Sequence, residues 1–225
     1  MTSGQARLDA FTDAAFAFAV TLMVAGAGGM ASDYRQLESA LAAAPSFAIA
    51  FALIAMFWLA HVRARRMIGD GDWRFLLLTL ALVFTVLLYV HPLRAMASSF
   101  AAYLTGSDGG YDGRLGPMFT FYGVGFVLMS LLTAGLFLLV RRNSTVSASD
   151  RREAKGHVVI WLILAGTGLL STLMTMFRAT VAFAPMLYAT LPITIGLFSA
   201  RYRWIETRPK QSKPEPEPEP PKDAT

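Results

Sequence analysis

The chain has 225 residues and no cysteine. That removes disulfides, thiolate nucleophiles and sulfur-ligated metals together. Charge is also scarce. Asp, Glu, Lys and Arg make up 16% of residues against 55% hydrophobic, which is too apolar and too charge-poor for an ordinary soluble domain. There are three histidines, His61, His91 and His157; they fall on separate segments, so no metal site is expected. There is no His-Glu-x-x-His pair, no Gly-x-Ser-x-Gly and no phosphate loop, and the chain is expected not to be an enzyme. A net charge of +5 would suit nucleic acid as a partner, but the basic residues gather at alternate ends of apolar blocks. That is the membrane pattern, and no nucleic-acid partner is expected.

What the sequence has instead is long apolar runs, each near the 20 or so residues that cross a bilayer. Six transmembrane helices are expected: Arg7–Met30, Ser46–Val62, Trp73–Val90 with a continuation past His91-Pro92, Met118–Val140, His157–Phe177 and Thr180–Ala200. The first carries acidic residues at its start and lacks the three-part layout of a signal peptide, so it reads as a retained span. The last two are divided by argument. Val158–Ala200 as one helix would be about 64 Å long at 1.5 Å per residue, about twice the bilayer core. A tight hairpin at Arg178 resolves the length and also keeps that charge out of lipid. Pro185 and Pro192 then lie inside the sixth helix, where neighbours can satisfy the freed carbonyls.

With the N-terminus inside, sixteen of the twenty Lys and Arg residues fall on inner segments. Both termini are therefore expected to be cytoplasmic. Residues 1–204 form the six-helix transmembrane domain. Residues 205–225 form a Pro/Glu-rich disordered tail, whose Lys213-to-Pro221 stretch of alternating proline resists helix and sheet. Ser98–Gly116 reads as a flexible outer loop. Asn143-Ser144-Thr145 fits a glycosylation sequon but falls on a predicted cytoplasmic loop, so it is discounted.

The opening of the chain is its most informative stretch. Arg7, Asp9, Thr12 and Asp13 stand at the mouth of an apolar helix, and from Ala14 to Met30 the only polar side chain is Thr21. Charges placed there need protein or water partners, which marks a built site rather than a simple anchor. Arg7, Phe11, Thr12 and Asp13, with Thr21-Leu22 downstream, resemble the first helix of the endosomal and lysosomal potassium channel family, transmembrane protein 175. The resemblance is to its prokaryotic branch, with one six-helix repeat per chain. Phe57-Trp58-Leu59-Ala60-His61, followed by Arg63, Arg65 and Arg66, is similar to a second block of that family.

The resemblance implies an all-α polytopic membrane protein that assembles as a homotetramer around the first helix. It also implies a potassium-preferring cation channel in a bacterial plasma membrane. The partners would be membrane lipid, further copies of the chain and permeant potassium, with no cofactor. Taken as a pore helix, the first helix places Phe11, Phe18, Leu22, Ala25 and Gly29 on one stripe with Thr21 beside it. Phe18, Leu22 and Ala25 are then the candidate constriction and Thr21 the candidate selectivity residue. The family more often has isoleucine where Phe18 stands and a large aliphatic where Ala25 stands. Packing against lipid or core is the alternative for Phe18, and a bond from Thr21 back to the Ala17 carbonyl is a compatible second role for that hydroxyl.

Arg7, Phe11, Thr12, Asp13, Trp58 and His61 read as a structural lock that anchors the pore helix, with Trp58 and His61 as donors to Thr12 or Asp13. Asp9 shares a helix face with Asp13, a mildly repulsive arrangement unless a cation is near. The alternative function is a small membrane transporter or a non-conducting accessory membrane subunit. Coupled transport would call for midplane acids, and the hydrophobic midplanes here hold none.

Overall fold

The computed structural model describes residues 3–25, 33–42, 44–69, 73–105, 115–176 and 187. Six helices occur among them: α1 (Ser3–Ala25), α2 (Tyr34–Ala42), α3 (Ala44–Ile68), α4 (Trp73–Thr105), α5 (Leu115–Arg142) and α6 (Ala148–Met174). The fold is all-helical. Five of the helices, all but α2, contain a stretch long and apolar enough to cross a membrane.

Several helix boundaries differ from the sequence expectation, and the reasons are local. The second predicted span does not stop at Val62 but runs on to Ile68. Arginine is a good helix former, and Arg65 and Arg66 in the last turn suit the negative end of the helix dipole. Gly69 follows at φ +63°, the left-handed conformation that commonly ends a helix and that glycine adopts without penalty. The fifth predicted span begins at Ala148 rather than His157. The Ser147 hydroxyl accepts from the Asp150 N–H as an N-cap, so the charged residues before His157 form a polar extension of the same helix.

The third predicted span does continue through Pro92 and reaches Thr105. The first part of the expected outer loop, 98–105, is therefore helical. A proline inside a membrane helix removes one donor, a loss that neighbouring groups can make good. The short helix α2 between the first two spans was not expected. The predicted end of the first helix, the turn at Arg178, the helix Thr180–Ala200 apart from residue 187, and the tail lie outside the described residues.

Each helix buries a stripe. In α1 it is Thr12, Phe16, Ala19 and Met23, the three- and four-residue spacing of one helical face. These side chains meet α3 and α4. Phe57 of α3 sits at the centre of the bundle, 5.9 Å from the Phe126 ring of α5 and 5.1 Å from the Trp161 ring of α6. Lipid tails are as apolar as leucine, so membrane helices associate through close packing, and small residues permit it.

The antiparallel pair α5–α6 shows this directly. A Cβ added at Gly123 would lie 1.8 Å from Thr172 Oγ1, and one at Gly168 would lie 3.0 Å from Phe126 and Val127 side-chain carbons. Gly123→Val is therefore expected to cost about 3 kcal/mol or more through overpacking. The check is the yield and thermal midpoint of monodisperse protein in detergent, with Gly166→Ala as control, because a Cβ at Gly166 meets nothing within 4 Å.

Candidate functional site

α1 and α3 run antiparallel, and two polar links join them near the start of α1. The Trp58 indole Nε1–H donates to Asp13 Oδ1 at 2.8 Å. Arg65 Nε donates to Asp9 Oδ1, also at 2.8 Å. Trp58 and Arg65 are two turns apart on α3 and Asp9 and Asp13 one turn apart on α1, so the links form successive rungs. The Arg65 side chain is 11% exposed and that of Asp9 26%. Arg65 also donates to the carbonyl of Gly69, which ties the end of α3 to the same cluster. Asp9 and Asp13 thus share a face without a penalty, because each carboxylate has its own donor.

The remaining sequence-predicted residues fall in three places. Thr12 is fully buried, and its hydroxyl donates to the Leu8 carbonyl of its own helix at 2.9 Å. His61 is 2% exposed and engages α4 rather than α1. Its Nε2 lies 3.2 Å from Thr79 Oγ1, its ring lies 6.0 Å from that of Phe75, and its Nδ1 has no hydrogen-bond partner among the described residues. Arg7 and Phe11 are exposed, and among the described residues Arg7 makes no ion pair. The structure therefore brings Asp13 and Trp58 together, sets His61 against Thr79 and leaves Arg7 and Phe11 on the open side.

The open side of α1 is the second half of the site. Phe11, Ala14, Ala17, Phe18, Thr21 and Ala25 are all exposed, on the face turned away from the stripe that packs on α3 and α4. Phe18 is 55% exposed. Leu22 is half-buried and packs against the core. The Thr21 hydroxyl donates to the Ala17 carbonyl at 3.0 Å, which leaves its oxygen still able to accept. From Ala14 to Ala25 this face carries no charge. Among the described residues no group of three His, Asp or Glu stands close enough to hold a metal ion.

Sequence reasoning did not identify three contributors: Arg65 as the partner of Asp9, Thr79 as the partner of His61, and the Arg63–Glu153 ion pair, at 2.6 Å, that joins α3 to α6. The signal for the first was present, since two carboxylates on one helix face call for a cation. The other two pairs link residues far apart in sequence, and nothing in their spacing marks them.

A family model described as endosomal/lysosomal potassium channel TMEM175 matches residues 7–89. A protein of Marivirga tractuosa named "Potassium channel" is 25% identical over 219 residues, covering 88% of each chain. A crystal structure of a variant of the potassium channel MtTMEM175, in complex with a nanobody–MBP fusion protein, superposes with a TM-score of 0.74 at 23% identity. That likeness covers 90% of this chain and 94% of the other and shows a shared fold. Over residues 7–89 the chain is similar in sequence to TMEM175 channels, and over most of its length it shares their fold. It is an integral membrane protein. The region matching the TMEM175 model contains all four side chains of the α1–α3 rungs, together with the open face of α1 from Phe11 to Ala25.

Proposed function

We propose that this protein is a potassium-preferring cation channel of a bacterial plasma membrane, in which four copies set α1 around a central axis with both termini cytoplasmic. The observation that carries the reading is the two-sidedness of α1. One face is bonded and packed to α3 and α4, and the opposite face is uncovered and, from Ala14 to Ala25, uncharged. One helix cannot enclose a pore, so copies must close cyclically around it. The names borne by its relatives supply potassium as the permeant ion.

In this arrangement Phe18 forms a ring of phenyl groups that narrows the path and resists wetting, with Ala25 extending the apolar section; Leu22, also expected there, instead packs toward the core. The Thr21 hydroxyls, about one turn away, replace part of the hydration shell of a passing cation. The sequence holds no Thr-Val-Gly-Tyr-Gly carbonyl filter, so preference comes from side chains and constriction size. Thr12, Asp13 and Trp58 hold the pore helix rather than line it, whereas Arg7 and Phe11 stand on its open side and His61 engages α4.

The test is cation flux from liposomes holding the purified protein, with potassium or sodium as the only permeant cation, alongside the oligomeric mass in detergent. Potassium flux above sodium flux from a tetramer is expected. A folded oligomer that passes neither ion, with Phe18→Ala also silent, overturns the reading.

A further inference from the structure

The α5–α6 hairpin has a side that the α1 site does not use. Phe137 stacks on the His157 ring at 4.5 Å, and Gly123 lies against Gly168 and Thr172. These contacts set the antiparallel register, in which Arg142 stands about level with Arg152 and Lys155 lies roughly 4.5 Å deeper.

The helical angles then place the side chains. Measured from the Gly123 face of α5 at 100° per residue, Val124, Leu128, Leu131 and Arg142 fall between about 80° and 140°. Measured from the Gly168 face of α6, Lys155, Leu162, Leu169 and Leu173 fall between about 100° and 140°. The two helices run in opposite directions, so displacements of the same sign carry both stripes to the same side of the hairpin. All of these side chains are exposed. The result is an apolar surface, flanked by Leu78 of α4 at the level of Gly135, that ends, at the side of the loop, in two cations.

Among the described residues those cations have no competing acid. Among the described residues neither Arg142 nor Lys155 makes an ion pair. Of the two nearby carboxylates, Asp150 accepts from the Ser147 hydroxyl at 2.7 Å and Glu153 takes Arg63. Glu153 also lies on the other side of α6, and Asp150 faces α5. In the loop that follows Arg142, Asn143 Oδ1 accepts from both the Thr145 N–H and its hydroxyl.

We propose that this side of the hairpin binds one anionic phospholipid, its headgroup phosphate held between Arg142 and Lys155 and its acyl chains laid along the two leucine stripes. Arginine offers a planar fork suited to phosphate oxygens, and lysine rising from an apolar face keeps its ammonium at headgroup level. The site requires α5 and α6 to cross the membrane and is independent of conduction.

The test is native mass spectrometry of the full chain with equal phosphatidylglycerol and phosphatidylcholine. Wild type is expected to retain phosphatidylglycerol preferentially. The R142Q/K155Q variant should bind it about tenfold or more weakly, at roughly 1 kcal/mol per lost cation near an anionic surface, with phosphatidylcholine retention unchanged. R35Q, on α2, should behave as wild type. Equal phosphatidylglycerol retention by R142Q/K155Q overturns the proposal, as does displacement of the lipid by inorganic phosphate, which would mark a free-anion site. A second measurement needs no variant. Spin-labelled phosphatidylglycerol should show a larger motionally restricted fraction on the wild-type protein than spin-labelled phosphatidylcholine, and equal fractions overturn the site.

Discussion

Asp9→Ala is expected to destabilise the bundle by about 3 kcal/mol, more than any other single change at the polar end of α1. The cost comes from the partner left behind. Arg65 is largely shielded, and without Asp9 its Nε–H faces no carboxylate. Removing one member of a buried pair strands a charge, and the stranded charge dominates the loss. Removing both members should therefore cost less than the sum of the single changes. Asp9→Ala with Arg65→Met should recover part of the stability, giving a coupling energy in a double-mutant cycle. Trp58→Phe provides the contrast. It deletes one donor to an exposed carboxylate, and the expected loss is about 1 kcal/mol. Thermal midpoints of monodisperse protein in detergent measure these three and the single Arg65→Met that closes the cycle. If Asp9→Ala matches wild type, the Asp9–Arg65 rung does not hold α1 in place.

Much of this fold could be read from apolar run length, because a membrane crossing demands a fixed length of uninterrupted helix and little else. Five of the six predicted spans coincide with helices of membrane-crossing length. The errors sit at the ends, where water replaces lipid and the length constraint vanishes. The stretch Arg151–Lys155 is charged, yet it stays helical because Ser147 caps it. Arg65 and Arg66 prolong α3 until Gly69 turns the chain. The helix α2 is only nine residues long and mixes polar with apolar residues, so no apolar block marks it in the sequence.

At the candidate site, the motif residues were legible as a group because charge at the mouth of an apolar helix is conspicuous. Their partners were not. Nothing in the sequence says that His61 should turn to Thr79 instead of Asp13, since the choice depends on the rotation of α3 between α1 and α4. Thr21 is the exception, because a hydroxyl inside an apolar helix has a carbonyl four residues back within reach whatever surrounds it.

Phe18→Ala should raise potassium flux by about tenfold or more, since lowering the barrier by only ~1.4 kcal/mol gives that factor. The reasoning starts from placement. Phe18 projects from the uncovered face of α1, opposite the stripe that holds the helix to the bundle. Its truncation should therefore leave the thermal midpoint almost unchanged. That separation distinguishes a constriction from a packing residue. A core phenylalanine cut to alanine loses about 3–5 kcal/mol, whereas a ring that gates by dewetting loses only its barrier.

Thr21→Val completes the test, because it keeps the shape at that level and removes the hydroxyl. In the Phe18→Ala background it should narrow the ratio of potassium to sodium flux while total flux stays high. If Phe18→Ala lowers stability and leaves flux unchanged, Phe18 packs against a neighbouring subunit and the narrowest point of the path lies elsewhere.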